Sequence, residues 1–343
     1  MKRLRWVAIQ MLPIAGALGA AILLATLISV LMGVSPGVLL RTLLSRFGSY
    51  AWGQVLFRAT FLTFTGLAVA LVFQAGLFNI GAEGQAVAGS LACAAAGIVL
   101  AGAPPGIALL LCIIAAFAGG AVWGWVPGWL KARFGTHEVI NTIMLNFIAL
   151  AGSNFVMTRC LAQPETVRTA MVRATLPKLE TWFGTMRGSA ANSSLLIAIL
   201  AVVAAHYFLH HTPAGLALRA VGRGGPQARM AGIAAGRWSI AAFALGGGCA
   251  GLVGTNFVLG YKHYYEDGFT GGIGFLGIAV ALVARNEPLG VLPAALLFGF
   301  LSESGLLVNT LLPREMVDVL TGAILLVFIA SERLRSRRLR GAS

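Results

Sequence analysis

Long apolar stretches without a charged residue follow one another along almost the whole chain. A helix needs about 20 mostly apolar residues to cross a bilayer, and residues 6–40, 59–82 and 84–130 are charge-free stretches of that length or longer. The complete pattern predicts ten spans, at residues 6–32, 55–73, 86–103, 106–126, 139–158, 193–210, 238–260, 271–285, 288–311 and 316–331. An even number of spans places both termini on one side of the membrane.

The composition supports the same architecture. Hydrophobic residues make up 58% of the 343 residues and charged residues 10%, whereas soluble proteins carry about 25% charged residues. The 44 glycines favour helices that approach one another closely within a bilayer. We therefore predict an all-α polytopic membrane protein that forms a single transmembrane domain over residues 1–343, and we exclude a soluble enzyme.

The net charge of +14 would suggest a nucleic-acid partner in a soluble protein. In this chain the basic residues cluster beside apolar stretches, as at Lys2, Arg3 and Arg5 and in the tail at residues 333–340. Such clusters are typical of the cytoplasmic flanks of spans. The pattern predicts cytoplasmic termini, a cytoplasmic loop at residues 212–237, an extracytoplasmic loop at residues 159–192 and no nucleic-acid partner.

The sequence gives little support for catalytic or metal-binding motifs. The sequence contains no Gly-Lys dipeptide and therefore no phosphate-binding P-loop, so any ATP would be hydrolysed on another subunit. The absence of a Cys-x-x-Cys motif leaves no support for a metal or redox site. His206, His210 and His211 are interpreted as water-exposed histidines at the inner end of the sixth span. We expect no cofactor, no metal and no catalytic activity in the chain itself.

One polar segment stands between two apolar stretches. Residues 76–85 combine Asn79, Glu83 and Gln85 with the glycines Gly76, Gly81 and Gly84. Backbone at membrane depth leaves the helix only where protein or a water-filled cavity satisfies its polar groups. The segment predicts part of a solute pathway; the alternative is a plain cytoplasmic turn after the second span.

A second glycine-rich segment, residues 267–274, contains Gly271, Gly272 and Gly274 and leads into a short predicted span. Glycine-interrupted segments in corresponding places of two halves of a chain are typical of a transport site. The similarity between the halves is faint in this sequence.

The third segment is a short helix in the loop at residues 212–237. Proline favours the first turn of a helix and glycine its end, so Pro226 and Gly232 predict the boundaries. One face carries small and apolar residues suited to docking against another protein. The alternative is a connecting helix at the membrane interface.

Four blocks resemble the inner-membrane permeases of ABC importers, in the simple-sugar and nucleoside branch of the ribose and branched-chain amino-acid permease family. They are LFNIGAEGQ at 77–85, HEVINTIMLN at 137–146, GIAVAL at 277–282 with NEPLG at 286–290, and the loop segment at 220–233. Two departures are Arg223-Gly224-Gly225-Pro226 and Ser302-Glu303-Ser304, where the family has other residues.

The resemblance implies a multi-pass permease subunit in the bacterial inner membrane. Its partners would be separate ABC ATPase subunits, a second permease copy or paralogue, and an extracytoplasmic solute-binding protein that delivers a nucleoside or, as second choice, a simple sugar. We expect the pathway to involve Asn79, Glu83, Gln85, Asn141 and Asn146, with the six glycines named above as gating positions. ATPase coupling is expected at Pro226, Gln227, Ala228, Arg229, Ala231, Gly232 and Ile233.

Two other classes of protein are alternatives. An ion-coupled secondary transporter would use carboxylates within or beside its spans, and Glu83 and Glu303 are candidates. A membrane-embedded enzyme would need a catalytic constellation, and the sequence offers none.

Overall fold

The structure is a computed structural model that describes residues 29–161, 166–224, 228 and 230–311, with isolated positions nearer the two ends of the chain. The predicted spans at 6–32 and 316–331 fall for the most part outside the described residues. The count of ten spans and the cytoplasmic position of the termini therefore stay predictions.

Most of the described residues are helical, and the only β-contacts among them are two isolated bridges, Arg168 with Glu266 and Lys178 with Asn192. The helices are α1 (Pro36–Arg46), α2 (Ser49–Gln74), α3 (Ala82–Val99), α4 (Pro105–Phe134), α5 (Glu138–Val156), α6 (Glu180–Phe183), α7 (Ser194–His211), α8 (Pro213–Arg223), α9 (Ala235–Gly251), α10 (Ile273–Val283) and α11 (Pro288–Leu307). Two helices continue into π-helical segments, α5 into Met157–Leu161 and α9 into Thr255–Lys262.

Seven of these elements are long and apolar enough to cross a membrane: α2, α3, α4, α5 with its π-helical segment, α7, α9 with its π-helical segment, and α11. They correspond to seven of the predicted spans. The predicted span at 271–285 is a helix of only 11 residues, Ile273–Val283. At 1.5 Å per residue it extends about 16 Å, roughly half of the hydrocarbon thickness. Apolarity alone did not reveal how short this helix is.

The chain divides into two compact units, one comprising Leu56–Gly299 and the other comprising the two ends of the chain. In the unit formed by the ends, the Arg46 guanidinium donates a hydrogen bond to the Leu307 carbonyl at 2.8 Å. The ring of Phe47 packs edge-on against Trp52. All polar clusters described below belong to the Leu56–Gly299 unit.

The most enclosed elements are α2 and the span built from α9. In the apolar windows of these two elements 83% and 89% of the residues are buried, against 22% in α4. Because α2 is apolar on all sides, its threonine hydroxyls form hydrogen bonds within the helix. Thr63 donates to the Ala59 carbonyl one turn back, at 2.7 Å.

Glycines bring α4 and α9 into backbone contact. A Cβ at Gly120 of α4 would stand 2.2 Å from the Gly247 carbonyl oxygen, and one at Gly124 would stand 2.2 Å from that of Phe243. A Cβ at Gly251 would meet the Ala116 carbonyl oxygen at 2.2 Å. Glycines thus let α4 and α9 approach closely, as the glycine content predicts.

Candidate functional site

The polar segment at residues 76–85 breaks the helical path between α2 and α3. Helix α2 ends at Gln74, and Gly76 adopts a left-handed conformation with φ +73°. The chain has no regular hydrogen-bonding pattern over residues 77–80, and α3 begins at Ala82. Asn79 therefore precedes the helix, whereas Glu83 and Gln85 lie in its first turn, where backbone N–H groups lack helical partners.

Asn79 and Gln85 form a buried amide pair. The Asn79 Nδ2 donates to Gln85 Oε1 at 3.0 Å and to the Ala68 carbonyl of α2 at 3.3 Å. The Asn79 Oδ1 accepts from the backbone N–H of Gly81 at 2.9 Å and from Gln85 Nε2 at 3.3 Å. Both side chains are almost completely enclosed. The pair ties the end of the break to α2 and satisfies a free N–H before α3.

Asn146 on α5 holds the other side of the break. Its Oδ1 accepts from the Gly84 N–H and its Nδ2 donates to the Ile80 carbonyl, each at 2.9 Å. The Thr142 hydroxyl oxygen, one turn earlier, accepts from the Ile80 N–H at 3.4 Å. Side chains of α5 thus replace the backbone partners that the helix break removes.

Glu83 connects the break to α10. Its carboxylate, 4% exposed, accepts from the Gly272 N–H at 3.0 Å and from the Gly274 N–H at 2.7 Å. The ion pairs of the described residues do not include Glu83; its charge instead faces the N-terminus of α10, where unpaired N–H groups and the helix dipole favour an anion.

In the glycine-rich segment at residues 267–274, glycine is favoured at different positions for different geometric reasons. Gly272 precedes α10 with φ +89°, a conformation that side chains disfavour. A Cβ at Gly274 would stand 2.3 Å from the Glu83 backbone nitrogen. Gly271 also has a positive φ of +52°, and a Cβ there would have open space around it. The two glycine-rich segments, separate in the sequence, form one site.

The structure gathers four of the five predicted pathway residues into this cluster. Asn79, Glu83, Gln85 and Asn146 are buried together, whereas Asn141 is half-buried and its amide bonds the Thr136 hydroxyl. Most bonds of the four go to backbone groups, so the cluster fixes the positions at which α3, α5 and α10 meet. Contact of these side chains with a solute stays a prediction.

A second buried polar cluster lies outside the segments that the sequence predicts to be functional. The Asn256 Oδ1, at the start of the π-helical segment after α9, accepts from Asn192 Nδ2 at 2.7 Å and from the Ser194 hydroxyl at 2.9 Å. The Asn256 Nδ2 donates to the Phe57 carbonyl of α2 at 3.0 Å. π-Helical segments are frequent at functional sites. The available signal was a single asparagine within the apolar stretch at 238–260.

The extracytoplasmic loop predicted at 159–192 runs along the end of this second cluster. Within its described part, the N–H groups of Thr169, Val172 and Leu176 donate to the carbonyls of Tyr265, His263 and Leu259, respectively, at 2.7–2.9 Å. Burial lowers the pKa of His263 and raises that of Tyr265 to about 12.

The predicted coupling segment is described in part, since Pro226, Gln227 and Arg229 lie outside the described residues. The Ile233 N–H donates to the Ala228 carbonyl at 2.9 Å, and Gly232 has φ +76° with open space where a Cβ would stand. This left-handed glycine is typical of a helix end. Ala231 beside it is exposed, as is the apolar Met230.

The loop that carries this segment contacts the break directly. Helix α8 begins after Thr212, whose hydroxyl oxygen accepts from the Gly215 N–H at 3.0 Å. Near its other end, a Cβ at Gly222 would stand 2.2 Å from the Gln74 carbonyl oxygen, and a Cβ at Gly76 would stand 3.0 Å from the Gly222 Cα. Two glycines thus place α8 against the turn that opens the polar segment.

Over residues 52–329 the chain matches the family described as "Branched-chain amino acid transport system / permease component". It is 35% identical over 332 residues to the guanosine ABC transporter permease protein NupP of Bacillus subtilis, covering 90% of this chain and 93% of the relative. It is 36% identical over 277 residues to the nucleoside ABC transporter permease protein NupB of Lactococcus lactis, covering 78% and 76%. It is 33% identical over 312 residues to the glucose ABC transporter permease protein TsgB13 of Haloferax volcanii, covering 87% and 80%.

Proposed function

The chain belongs to the family of permease components of branched-chain amino acid transport systems, and from this premise we propose that it forms the translocation pathway for a nucleoside. The resemblance noted in the sequence is confirmed: the chain is a permease subunit of an ABC importer. The solute, the partner subunits and the side of the membrane on which each acts belong to the proposal.

The observation that carries the proposal is the sealed polar cluster at the helix break. Backbone that leaves a helix among apolar spans needs a reason, because each unsatisfied polar group costs several kcal/mol in hydrocarbon. Here Glu83 and Asn146 satisfy the N–H groups of Gly272, Gly274 and Gly84. A break stabilised in this way is a feature of transport sites built from discontinuous helices.

Within the cluster, the Asn79–Gln85 pair is the best candidate for solute contact. The hydrogen bond from Asn79 Nδ2 to Gln85 Oε1 joins two side chains and serves no backbone group. A nucleoside offers hydroxyl groups and base edges that can exchange with such a bond, whereas breaking a bond of Asn146 would leave a backbone group unpaired.

A nucleoside is favoured because two relatives that cover more than two thirds of the chain carry nucleoside or guanosine in their names. A simple sugar is the second candidate, since a relative named as a glucose permease covers 87% of the chain at 33% identity. Both solutes present hydroxyl groups to amide side chains.

The partners follow from the family. Two ATPase subunits would hydrolyse ATP below two permease chains, and an extracytoplasmic binding protein would deliver the solute at the bacterial inner membrane. The α8 helix, in contact with Gly76 through Gly222, would carry movement of the docking loop at 228–233 to the helix break.

The test is uptake of labelled guanosine and of labelled glucose in cells with and without the gene. One set of cells is depleted of ATP, and another is treated with an uncoupler while ATP is maintained. Gene-dependent guanosine uptake that requires ATP and survives the uncoupler supports the proposal. Uptake of glucose alone would identify a sugar, in place of a nucleoside, as the solute. Uptake lost with the ion gradient would favour ion coupling and direct attention to Glu303, which is buried on α11.

A further inference from the structure

Three metal-ligating side chains meet at a place remote in sequence from the polar cluster. His206 and His210 lie on the last turns of α7, and Glu287 immediately precedes α11. One ring nitrogen of each histidine and one carboxylate oxygen all lie within 4.8 Å of one another. Residues four apart on a helix share a face, so the two imidazoles point to the same side.

His210 has the orientation of a metal ligand. Its Nδ1 is 3.1 Å from the His206 carbonyl oxygen. A carbonyl only accepts, so Nδ1 donates to it, and Nε2 is the ring nitrogen left to bind an ion. That Nε2 is 3.5 Å from the Glu287 carboxylate. Donation of one ring N–H to a backbone carbonyl is how proteins fix the tautomer of metal-bound histidines.

His206 supplies a second nitrogen. Its ring lies 4.4 Å from that of His210, with the planes inclined by 31°. The His206 Nδ1 is buried and has no hydrogen-bond partner among the described residues. A buried ring nitrogen without a hydrogen-bond partner destabilises the fold. If the His206 ring turns, its Nδ1 can coordinate an ion bound at the histidine pair.

The backbone before Glu287 is shaped to present the carboxylate. Arg285 and Asn286 both have left-handed φ values, +56° and +57°, which is uncommon for residues other than glycine. The Asn286 carbonyl accepts from Gln74 Nε2 at 2.9 Å, which anchors this turn to the end of α2. The Glu287 side chain remains 51% exposed, so an ion can reach it from solvent.

We propose that His206, His210 and Glu287 bind a divalent transition-metal ion, with Zn²⁺ as the expected ion. The two imidazoles are borderline donors that suit Zn²⁺ and are poor for Mg²⁺ or Ca²⁺, and Zn²⁺ also accepts a carboxylate oxygen. Zinc bonds of about 2.0–2.2 Å require the three donors to draw closer than 4.8 Å, which the exposed glutamate side chain can do. Water would complete the coordination.

A bound ion would join the end of α7 to the turn between α10 and α11. His210 lies two residues before Thr212, the N-cap of α8. The site would therefore restrain the base of the loop that reaches the Gly76 turn. Binding itself is independent of the proposed transport function, since its ligands belong to neither polar cluster.

The test uses the full chain in detergent micelles, purified through a tag without histidines. A Cys160→Ser background removes the exposed thiol, the one cysteine among four that is not buried. Zn²⁺ is titrated in competition with a chromophoric chelator. We expect one ion per chain, and an affinity at least about tenfold weaker in each of His206→Ala, His210→Ala and Glu287→Gln.

His211→Ala is the matched control, because its ring stacks on Tyr207 at 5.3 Å and supplies none of the three clustered donors, while its centroid lies 6.2 Å from that of His206. It should bind Zn²⁺ like the parent protein. The unfolding temperature without metal identifies variants that fail to fold, and Zn²⁺ should raise it in the parent and not in the ligand variants. An absence of stoichiometric binding by the parent, or equal loss in His211→Ala, overturns the proposal.

Discussion

The Glu83 carboxylate accepts a hydrogen bond from the Gly274 N–H at 2.7 Å, across 191 positions of sequence. A Cβ at Gly274 would stand 2.3 Å from the Glu83 nitrogen, so this contact requires both a carboxylate on α3 and a glycine at the start of α10. The start of one helix thereby positions the start of another.

Replacing Glu83 by glutamine tests this contact. The amide keeps one acceptor oxygen and places an NH₂ group where the second oxygen accepted, so one of the N–H groups of Gly272 and Gly274 loses its partner. We expect destabilisation of about 1–3 kcal/mol and a clear loss of uptake. Thermal unfolding of the purified protein and uptake of labelled solute measure the two effects.

Glu266→Gln is the control for this substitution. Glu266 forms a partly exposed pair with Lys262 at 3.6 Å, and such pairs contribute at most about 1 kcal/mol. Equal effects of the two variants would contradict a special role for Glu83.

Gly222→Ala should weaken the stimulation of ATPase activity by solute. The new methyl group would stand 2.2 Å from the Gln74 carbonyl oxygen, so α8 must move away from the Gly76 turn. We expect the variant to reach the membrane, with reduced solute-stimulated ATPase activity in the assembled importer. Gly152→Ala, at a position with open space on α5, is the control; normal stimulation in Gly222→Ala would refute the link.

Gly232→Trp should block docking of the ATPase. A Cβ at Gly232 meets nothing within 4 Å, so the indole projects outward. The left-handed backbone, φ +76°, costs a residue with a side chain roughly 1–2 kcal/mol. Gly232→Asn places a residue with a small side chain on the same left-handed backbone, so it carries the same type of backbone strain. We expect co-purification of the ATPase to fail with tryptophan and to persist with asparagine; persistence with both would exclude this position from the interface.

The loop at residues 166–176, which contacts His263, should become more mobile at low pH. Burial, aided by the charge of Lys178, lowers the pKa of His263 below its usual 6.5, while a backbone hydrogen bond at Leu259 opposes the shift. Because the folded loop favours the neutral ring, its contribution to stability is present above pH 6.5 and is lost as the pH falls through the lowered pKa.

Limited proteolysis measures this effect. We expect faster cleavage within residues 166–192 at pH 5 than at pH 7.5, with a smaller difference in His263→Asn. Asparagine tolerates the left-handed φ of +64° at this position. An unchanged pH dependence in that variant would assign the effect to another group.

Hydropathy was sufficient to predict seven of the spanning helices, because each is a long apolar stretch ended by charges, glycines or prolines. It placed the start of α2 late, at 55 rather than Ser49. The motif at 77–85 located the polar segment, since few apolar chains carry such a concentration of amides and glycines.

The remaining features depend on contacts distant in sequence. The meeting of Glu83 with α10 is set by tertiary packing, and no local pattern encodes it. No local pattern relates Asn192 to Asn256, and only the fold brings the Asn192 Nδ2 and the Asn256 Oδ1 to 2.7 Å. His206 and His210 share a helix face by spacing alone, but their relation to Glu287 requires the turn at Arg285 and Asn286.

The glycine interface between α4 and α9 constrains how any transport cycle can proceed. Gly120 and Gly247 bring two backbones together without intervening side chains, so this contact has no rotamers that could rearrange and no soft layer that could shear. We expect the two helices to move as one rigid body. Flexibility has to come from the segments that flank the pair, and the left-handed glycines there are Gly135, at the end of α4, and Gly232, three residues before α9.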